Sequence, residues 1–156
     1  MHQSIKSRRE VLAHGLAVAG LLAGAGMLPT QAQAAWNEGA FAAKSLADAV
    51  KALGGSAPTA SGEIAITGPD IAENGAVVPV GASTSLAGAK RLLLLVEKNP
   101  NVLAAVFELS DKVEANVSTR VKMGQSSNVY AVAMMADGRV LFAQKEIKVT
   151  LGGCGG

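Results

Sequence analysis

The chain of 156 residues carries a single cysteine, Cys154, in the terminal run Gly152-Gly153-Cys154-Gly155-Gly156. A thiol can exchange with disulfides, be oxidised, or hold a cargo covalently, and its reactive form is the thiolate. A cysteine inside a core behaves as a small hydrophobe. One flanked by four glycines has no neighbouring side chain to pack on and no stiff backbone to restrain it, so the sequence predicts an exposed, mobile and reactive thiol. Nothing on the arm activates it. No Lys or Arg is closer in sequence than Lys148, and the terminal carboxylate two residues away opposes ionisation. A thiol with a pKa near about 8.5 is only a few per cent thiolate at neutral pH. Activation is therefore expected from cationic groups or metal centres in partner proteins.

The other end of the chain predicts where this chemistry happens. Residues 4–34 read as an export signal: Lys6, Arg8 and Arg9 form a basic region, an apolar stretch runs from Val11 to Leu28, and Ala32-Gln33-Ala34 makes an A-x-A cleavage site. Cleavage is expected after Ala34. The pair Arg8-Arg9 in Ser7-Arg8-Arg9-Glu10-Val11-Leu12 resembles a twin-arginine signal, with Val11 where phenylalanine is usual and Ala13 where lysine is common. That route leads to the periplasm. An uncleaved membrane anchor is the alternative, but Gly15, Gly20, Gly24, Gly26, His14 and the cleavage site argue against it, leaving no membrane association after cleavage.

Removing the signal narrows the function classes. The formal net charge of +2 comes from Lys6, Arg8, Arg9 and Glu10, and the rest of the chain carries 11 basic and 11 acidic residues. Without a basic surplus there is no electrostatic case for nucleic acid. Both histidines, His2 and His14, leave with the signal. A chain with one cysteine and no histidine cannot assemble a Ser-His-Asp or Cys-His catalytic set, nor the usual zinc ligand sets, so neither a catalytic residue nor a cofactor is expected. A lone cysteine also cannot pair within its own chain. Stability must come from packing, and the thiol is left for something outside the molecule.

The arm needs a mount. Residues 35–55 predict one amino-terminal helix: Ala43, Leu46, Ala47, Val50 and Leu53 share a face, Trp36 and Phe41 extend it, and Gly54-Gly55 supplies the stop. A linker is expected over 56–62. Residues 63–151 then read as short strands separated by turns. Leu92 to Val96 is an apolar run too short for a typical helix, which predicts a strand buried on both faces. Val117 to Met123 alternates, and Val129 to Ala136 and Arg139 to Leu151 are joined at Asp137-Gly138, a turn that closes a hairpin. In the last strand Ile147, Val149 and Leu151 alternate with Glu146, Lys148 and Thr150, predicting one core face and one wet face right up to the glycines. About seven short strands with regular turns predict a mainly β fold, an immunoglobulin-like antiparallel β-sandwich with a helix in front and a flexible arm, residues 152–156, behind.

Asp70, Glu73 and Asn74 form a polar cluster near a turn, but without the spacing of a calcium loop they read as a solvated turn. Glu97-Lys98 and Arg120 with Lys122 read as solvent-facing charges. Tyr130, Met134 and Met135 are candidates for a partner interface, with core packing the equal alternative.

Several runs together resemble the SoxY family, the sulfur-carrier subunit of the periplasmic thiosulfate-oxidising system. They are the carboxyl-terminal stretch from Lys145 to Gly156, Lys44-Ser45-Leu46-Ala47-Asp48-Ala49, Pro69 to Val80, Val96-Glu97-Lys98-Asn99-Pro100, and Ser118 to Gly124. The resemblance implies that Cys154 is the covalent attachment point for sulfur intermediates. It further implies a heterodimer with a SoxZ-like β-sandwich subunit and three partner enzymes. These are a c-type haem enzyme that conjugates thiosulfate to the thiol, a metal-dependent thiosulfohydrolase that releases sulfate, and a sulfane dehydrogenase. The carrier itself would be non-catalytic. Two other functions remain open on the residues alone. Gly155-Gly156 could take sulfur as a terminal thiocarboxylate, as ubiquitin-like carriers do, although export and the adjacent thiol count against it. Alternatively, Cys154 could merely form an intermolecular disulfide in an exported interaction module.

Overall fold

The computed structural model describes residues 37–151. The signal residues Arg8, Arg9, Ala32 and Ala34 and the arm residues Gly152, Gly153, Cys154, Gly155 and Gly156 lie outside the described residues. Where one helix was predicted there are two, α1 (Glu38–Phe41) and α2 (Leu46–Ala52). Asn37 caps the first, its Oδ1 accepting from Ala40 N at 2.9 Å. Ser45 caps the second, its Oγ accepting from Asp48 N at 3.1 Å. The break is at Ser45, whose extended backbone (φ −141°, ψ 161°) interrupts the helical ladder while its hydroxyl satisfies an otherwise orphaned amide. The predicted stop holds. Gly54 takes φ +80°, its N–H bonds Lys51 O and that of Gly55 bonds Val50 O, the crossed pair that closes a helix on glycine.

Nine strands follow among the described residues: β1 (Thr59–Ala60), β2 (Ile64–Thr67), β3 (Ile71–Asn74), β4 (Val78–Thr84), β5 (Ala89–Val96), β6 (Leu103–Glu108), β7 (Asn116–Val121), β8 (Ser127–Met135) and β9 (Val140–Leu151). One sheet has the order β1-β9-β8-β5-β6, with β3 also paired to β9, and a second has the order β2-β4-β7. The predicted antiparallel sandwich is present, with two parallel additions: β1 and β3 both run parallel to β9. β1 lies in the stretch read as a linker and β3 in the stretch read as a turn. Each is too short to show periodicity, so pairing to β9 rather than local pattern makes it a strand.

The run Leu92 to Val96 explains the layering. All five residues are fully buried, because the larger sheet is covered on both faces. Leu92, Leu94 and Val96 pack into the sandwich with Ile64, Val78, Val80, Met123 and Ile147. Leu93 and Leu95 face the other way, against Ala40, Ala49 and Val50 of the helices. β5 is thus the middle of three layers, and each fully buried leucine stabilises the fold by roughly 1.5–3 kcal/mol. The same alternation divides the interface candidates: Met135 belongs to the sandwich interior and Met134 to the helix layer, while Tyr130 packs edge-on against Phe142. All three serve packing within the chain.

The β8–β9 connection is longer by one residue than predicted. Met135 N bonds Arg139 O and Gly138 N bonds Met135 O, with Gly138 at φ +88°, so three residues form the loop and glycine takes the left-handed position. No helix among the described residues is long and apolar enough to cross a membrane.

Candidate functional site: the root of the arm

β9 is twelve residues long and changes partners along its length. From Val140 to Ile147 it pairs with β8, in a register ending at Ser127↔Ile147. Beyond that point β8 has turned away, and one side chain takes over its edge. Ser126 Oγ accepts from Val149 N at 2.9 Å and donates to Val149 O at 3.5 Å, satisfying both main-chain groups that β8 would have bonded. On the opposite edge β3 pairs in parallel, Ile71↔Lys148, Ala72↔Val149 and Asn74↔Leu151. Lys148 N bonds Asp70 O at 2.9 Å, and Gly75 N bonds Leu151 O at 2.7 Å. Thr150 Oγ1 donates to Glu73 O at 2.9 Å. The last described residue is therefore bonded to the fold, and Gly152 begins where this ladder stops.

One expectation fails here. Alternation placed Leu151 in the core, yet it is 70% exposed, whereas Ile147 is fully buried and Val149 half-buried. The facing sheet is made of strands of four to seven residues, and the twelve-residue β9 outruns it. The periodicity continues but nothing opposite remains to bury it.

The polar cluster is solvated as predicted, but two of its residues are strand rather than turn. Glu73 and Asn74 are in β3, where their main chain pairs with the arm's root. Asp70 precedes the strand and meets Lys145 Nζ at 2.9 Å, and the same ammonium donates to Gly68 O at 2.6 Å. The hydrogen bond and positive charge of Lys145 hold the Asp70 carboxyl below its ordinary value. Lys145 is thereby committed to the body, and Lys148 lies exposed on the outer face. Among the described residues no group of three or more His, Cys, Asp or Glu side chains stands together as a metal site. Glu97 and Lys98 are exposed, and the Glu97 carboxylate accepts from Asn128 Nδ2 at 2.9 Å and Tyr130 OH at 3.3 Å. Burial and the adjacent Glu97 charge raise the Tyr130 phenol above its ordinary value. Arg120 and Lys122 are exposed as predicted.

Sequence reasoning missed Ser126 and the β3 pairing. A serine one residue ahead of a strand carries no signal of its own, and Gly68-Pro69-Asp70 before β3 and Asn74-Gly75 at its end disguise four strand residues as loop.

These elements define a class: a two-sheet β-sandwich with small amino-terminal helices, whose described residues finish in a long strand paired on both edges. The sequence pattern of the sulfur oxidation protein SoxY matches residues 49–154, ending on Cys154. The chain belongs to the SoxY family, a family of sulfur carriers in sulfur oxidation. Among solved structures it is similar to the sulfur carrier protein SoxY from Chlorobium limicola f thiosulfatophilum, with 34% identity over 60% of this chain and 84% of that chain and a TM-score of 0.55. It is also similar in fold to a superoxide reductase (neelaredoxin) from Ignicoccus hospitalis, with 22% identity over 55% of this chain and 79% of that chain and a TM-score of 0.50. That second likeness concerns the fold alone. No curated protein matches the chain.

Proposed function

We propose that the protein is an exported, non-catalytic carrier that holds thiosulfate-derived sulfur on Cys154 and offers it to a series of partner enzymes. The observation that carries this reading is the root of the arm: β9 is bonded on both edges as far as Val149 and on the β3 edge to Leu151, and the sequence then continues as Gly-Gly-Cys-Gly-Gly. Gly152, Gly153 and Cys154 extend at most about 10 Å beyond Leu151, enough to place sulfur in a narrow pocket while the body stays outside. Ordering such an arm costs roughly 1–2 kcal/mol per residue, which favours brief visits over tight complexes.

The chemistry divides accordingly. Joining the thiol sulfur to the outer sulfur of thiosulfate forms one S–S bond and releases a proton and two electrons, which a c-type haem partner accepts. Water then cleaves the bond between the two cargo sulfurs, sulfate leaves, and a persulfide stays on Cys154. A metal-dependent thiosulfohydrolase performs that step, and a sulfane dehydrogenase oxidises the remaining sulfur. A SoxZ-like sandwich subunit completes the carrier as a heterodimer. The twin-arginine signal with Arg8 and Arg9 supports delivery to the periplasm.

Intact-mass analysis of the native exported protein before reduction tests the reading. Adducts of thiosulfate and sulfane mass are expected on Cys154, none on a Cys154→Ser variant, and the melting temperatures of the two should agree. Adducts persisting on the serine variant would transfer the role to the terminal carboxylate of Gly156. Disulfide dimers alone, with thiosulfate present, would reduce the protein to an interaction module.

A further inference from the structure

The helix layer covers only part of the sheet beneath it. Leu93, Val132, Met134 and Val140 are buried under α1 and α2. By the two-residue alternation of a strand, the same face continues on β5 with Leu95 and Glu97, on β8 with Tyr130 and Asn128, and on β9 with Phe142 and Gln144. α2 has only seven residues, about 10 Å of helix, against strands of eight to twelve residues. Where α2 begins, a cavity of about 440 Å³ is left, lined by Leu46 of its first turn, Pro58 ahead of β1, and Leu95, Glu97, Tyr130 and Phe142 of the sheet face. Most of that lining is apolar, and its polar groups converge on one carboxylate. Glu97 accepts from Asn128 Nδ2 at 2.9 Å and from Tyr130 OH at 3.3 Å, one bond to each oxygen. A carboxylate has about four acceptor positions, so both oxygens keep capacity for a further donor. Among the described residues no cationic group comes within 4 Å of it. Lys44 also lines the cavity, but its ammonium is taken up by Pro100 O at 2.5 Å and Asn101 Oδ1 at 2.8 Å.

We propose that this cavity binds a small organic ammonium, a primary amine carried on an apolar body. A primary amine is protonated at neutral pH and offers three N–H donors, which suits a carboxylate with spare acceptor capacity and no cation of its own. The body lies against Leu46, Pro58 and Phe142, where it removes apolar surface from water. Tyr130 and Phe142, whose rings meet at 61° with centroids 5.8 Å apart, add the attraction of an aromatic face for a cation. The opposite wall does not repel the charge, because the start of α2 carries its own carboxylate, Asp48, which accepts from the Ser45 hydroxyl at 2.6 Å. Size favours a free molecule over a lysine side chain of another protein: the cavity falls in the range of roughly 300–1,000 Å³ that holds small ligands, and four methylenes with an ammonium fill little of it. The site is separate from the arm and independent of the carrier reading. Gln144, paired with Tyr130, stands seven residues before Leu151, about 23 Å along β9.

The test titrates the full mature chain, labelled for amide NMR at neutral pH, with three molecules of one shape: 4-phenylbutylamine, 4-phenylbutanol and 4-phenylbutyrate. The amine should shift the amides of Leu46, Leu95 and Phe142 saturably and leave that of Ala82, in the other sheet, unmoved. The alcohol should bind the same residues about tenfold more weakly, since it lacks the charge-assisted bond, and the butyrate should not bind. Glu97→Gln keeps the hydrogen-bonding shape without the charge, so the amine should fall to the level of the alcohol while the alcohol is unaffected. Should the variant lose the alcohol as well, the order of the three probes on wild type decides alone. Equal binding of amine and alcohol to wild type, an amine that ignores Glu97→Gln, or shifts that map away from the cavity would each overturn the proposal. N-acetyl-lysine amide presents the same head on a shorter stem and should bind several-fold more weakly than the amine. Binding as tight as the amine would assign the cavity to a lysine of a partner protein and overturn the small-molecule site. None of these outcomes bears on whether Cys154 carries sulfur, because no sulfur compound enters the experiment.

Discussion

The two ends of β9 differ in how they are held and covered. At Val140–Phe142 the strand is paired to β8 on one edge and to β1 on the other, with Val140 and Phe142 facing the helices and Leu141 the sandwich. At Val149–Leu151 it is still bonded on both edges, but by a four-residue parallel strand and one serine hydroxyl, and burial falls from a half-buried Val149 to an exposed Leu151. Backbone order is thus kept after burial has ceased. For the carrier role proposed above that combination is useful: hydrogen bonds hold the end of β9 in place, while the lack of a covering layer leaves Leu151 accessible.

The contrast can be broken by perturbing each end separately. The largest effect is expected from Leu94→Ala in the doubly covered middle strand. The deletion leaves a cavity in a fully closed interior and should lower stability by about 3 kcal/mol, read from urea melts. Enzymatic loading of Cys154 at temperatures where the variant is folded should not change. A loading defect there would mean that the two ends of β9 are not independent.

Ser126→Ala acts at the other end and should be milder, about 1 kcal/mol, since it removes the hydroxyl that serves Val149. Hydrogen exchange should accelerate at Val149 and its neighbours while the amides of Val132 and Ala133 keep their protection. Uniform acceleration across both regions would show that the serine supports the whole sheet rather than the root.

The smallest effect sharpens the same comparison with pH. The Asp70 carboxyl is held below its ordinary value by the hydrogen bond and charge of Lys145, so its contribution to stability is present above the unfolded value of 3.8. It is lost as pH falls through the lower folded value. Because the pair is exposed, the effect should be a slight acid-side loosening of the β3–β9 ribbon, seen as faster exchange of the Lys148 amide. Asp70→Asn should abolish that pH dependence and leave the β5–β8 region unaffected. An equal acid response in the Asn variant would move its origin to another carboxylate.

The sequence was legible where a pattern is long or a residue type is decisive. The glycine-flanked cysteine, the Gly54-Gly55 helix stop, the strand at Leu92 to Val96 and the sandwich class could all be read from it. The helix break could have been read as well, since Ser45 followed by Asp48 is a capping signature at the start of an apolar-periodic stretch. β1, β3 and the bracket at Ser126 could not, because two to four residues carry no period and a single serine no direction.

What the chain alone determined is the glycine-flanked cysteine at 154 and the alternation that makes β9 a strand, because both depend on residue types and their spacing. What only the tertiary structure decided is where the burial of that strand stops. Exposure of Leu151 depends on how far the opposite sheet reaches and on which distant segment takes the vacant edge. Those are properties of packed layers, and no local run of amino acids encodes them.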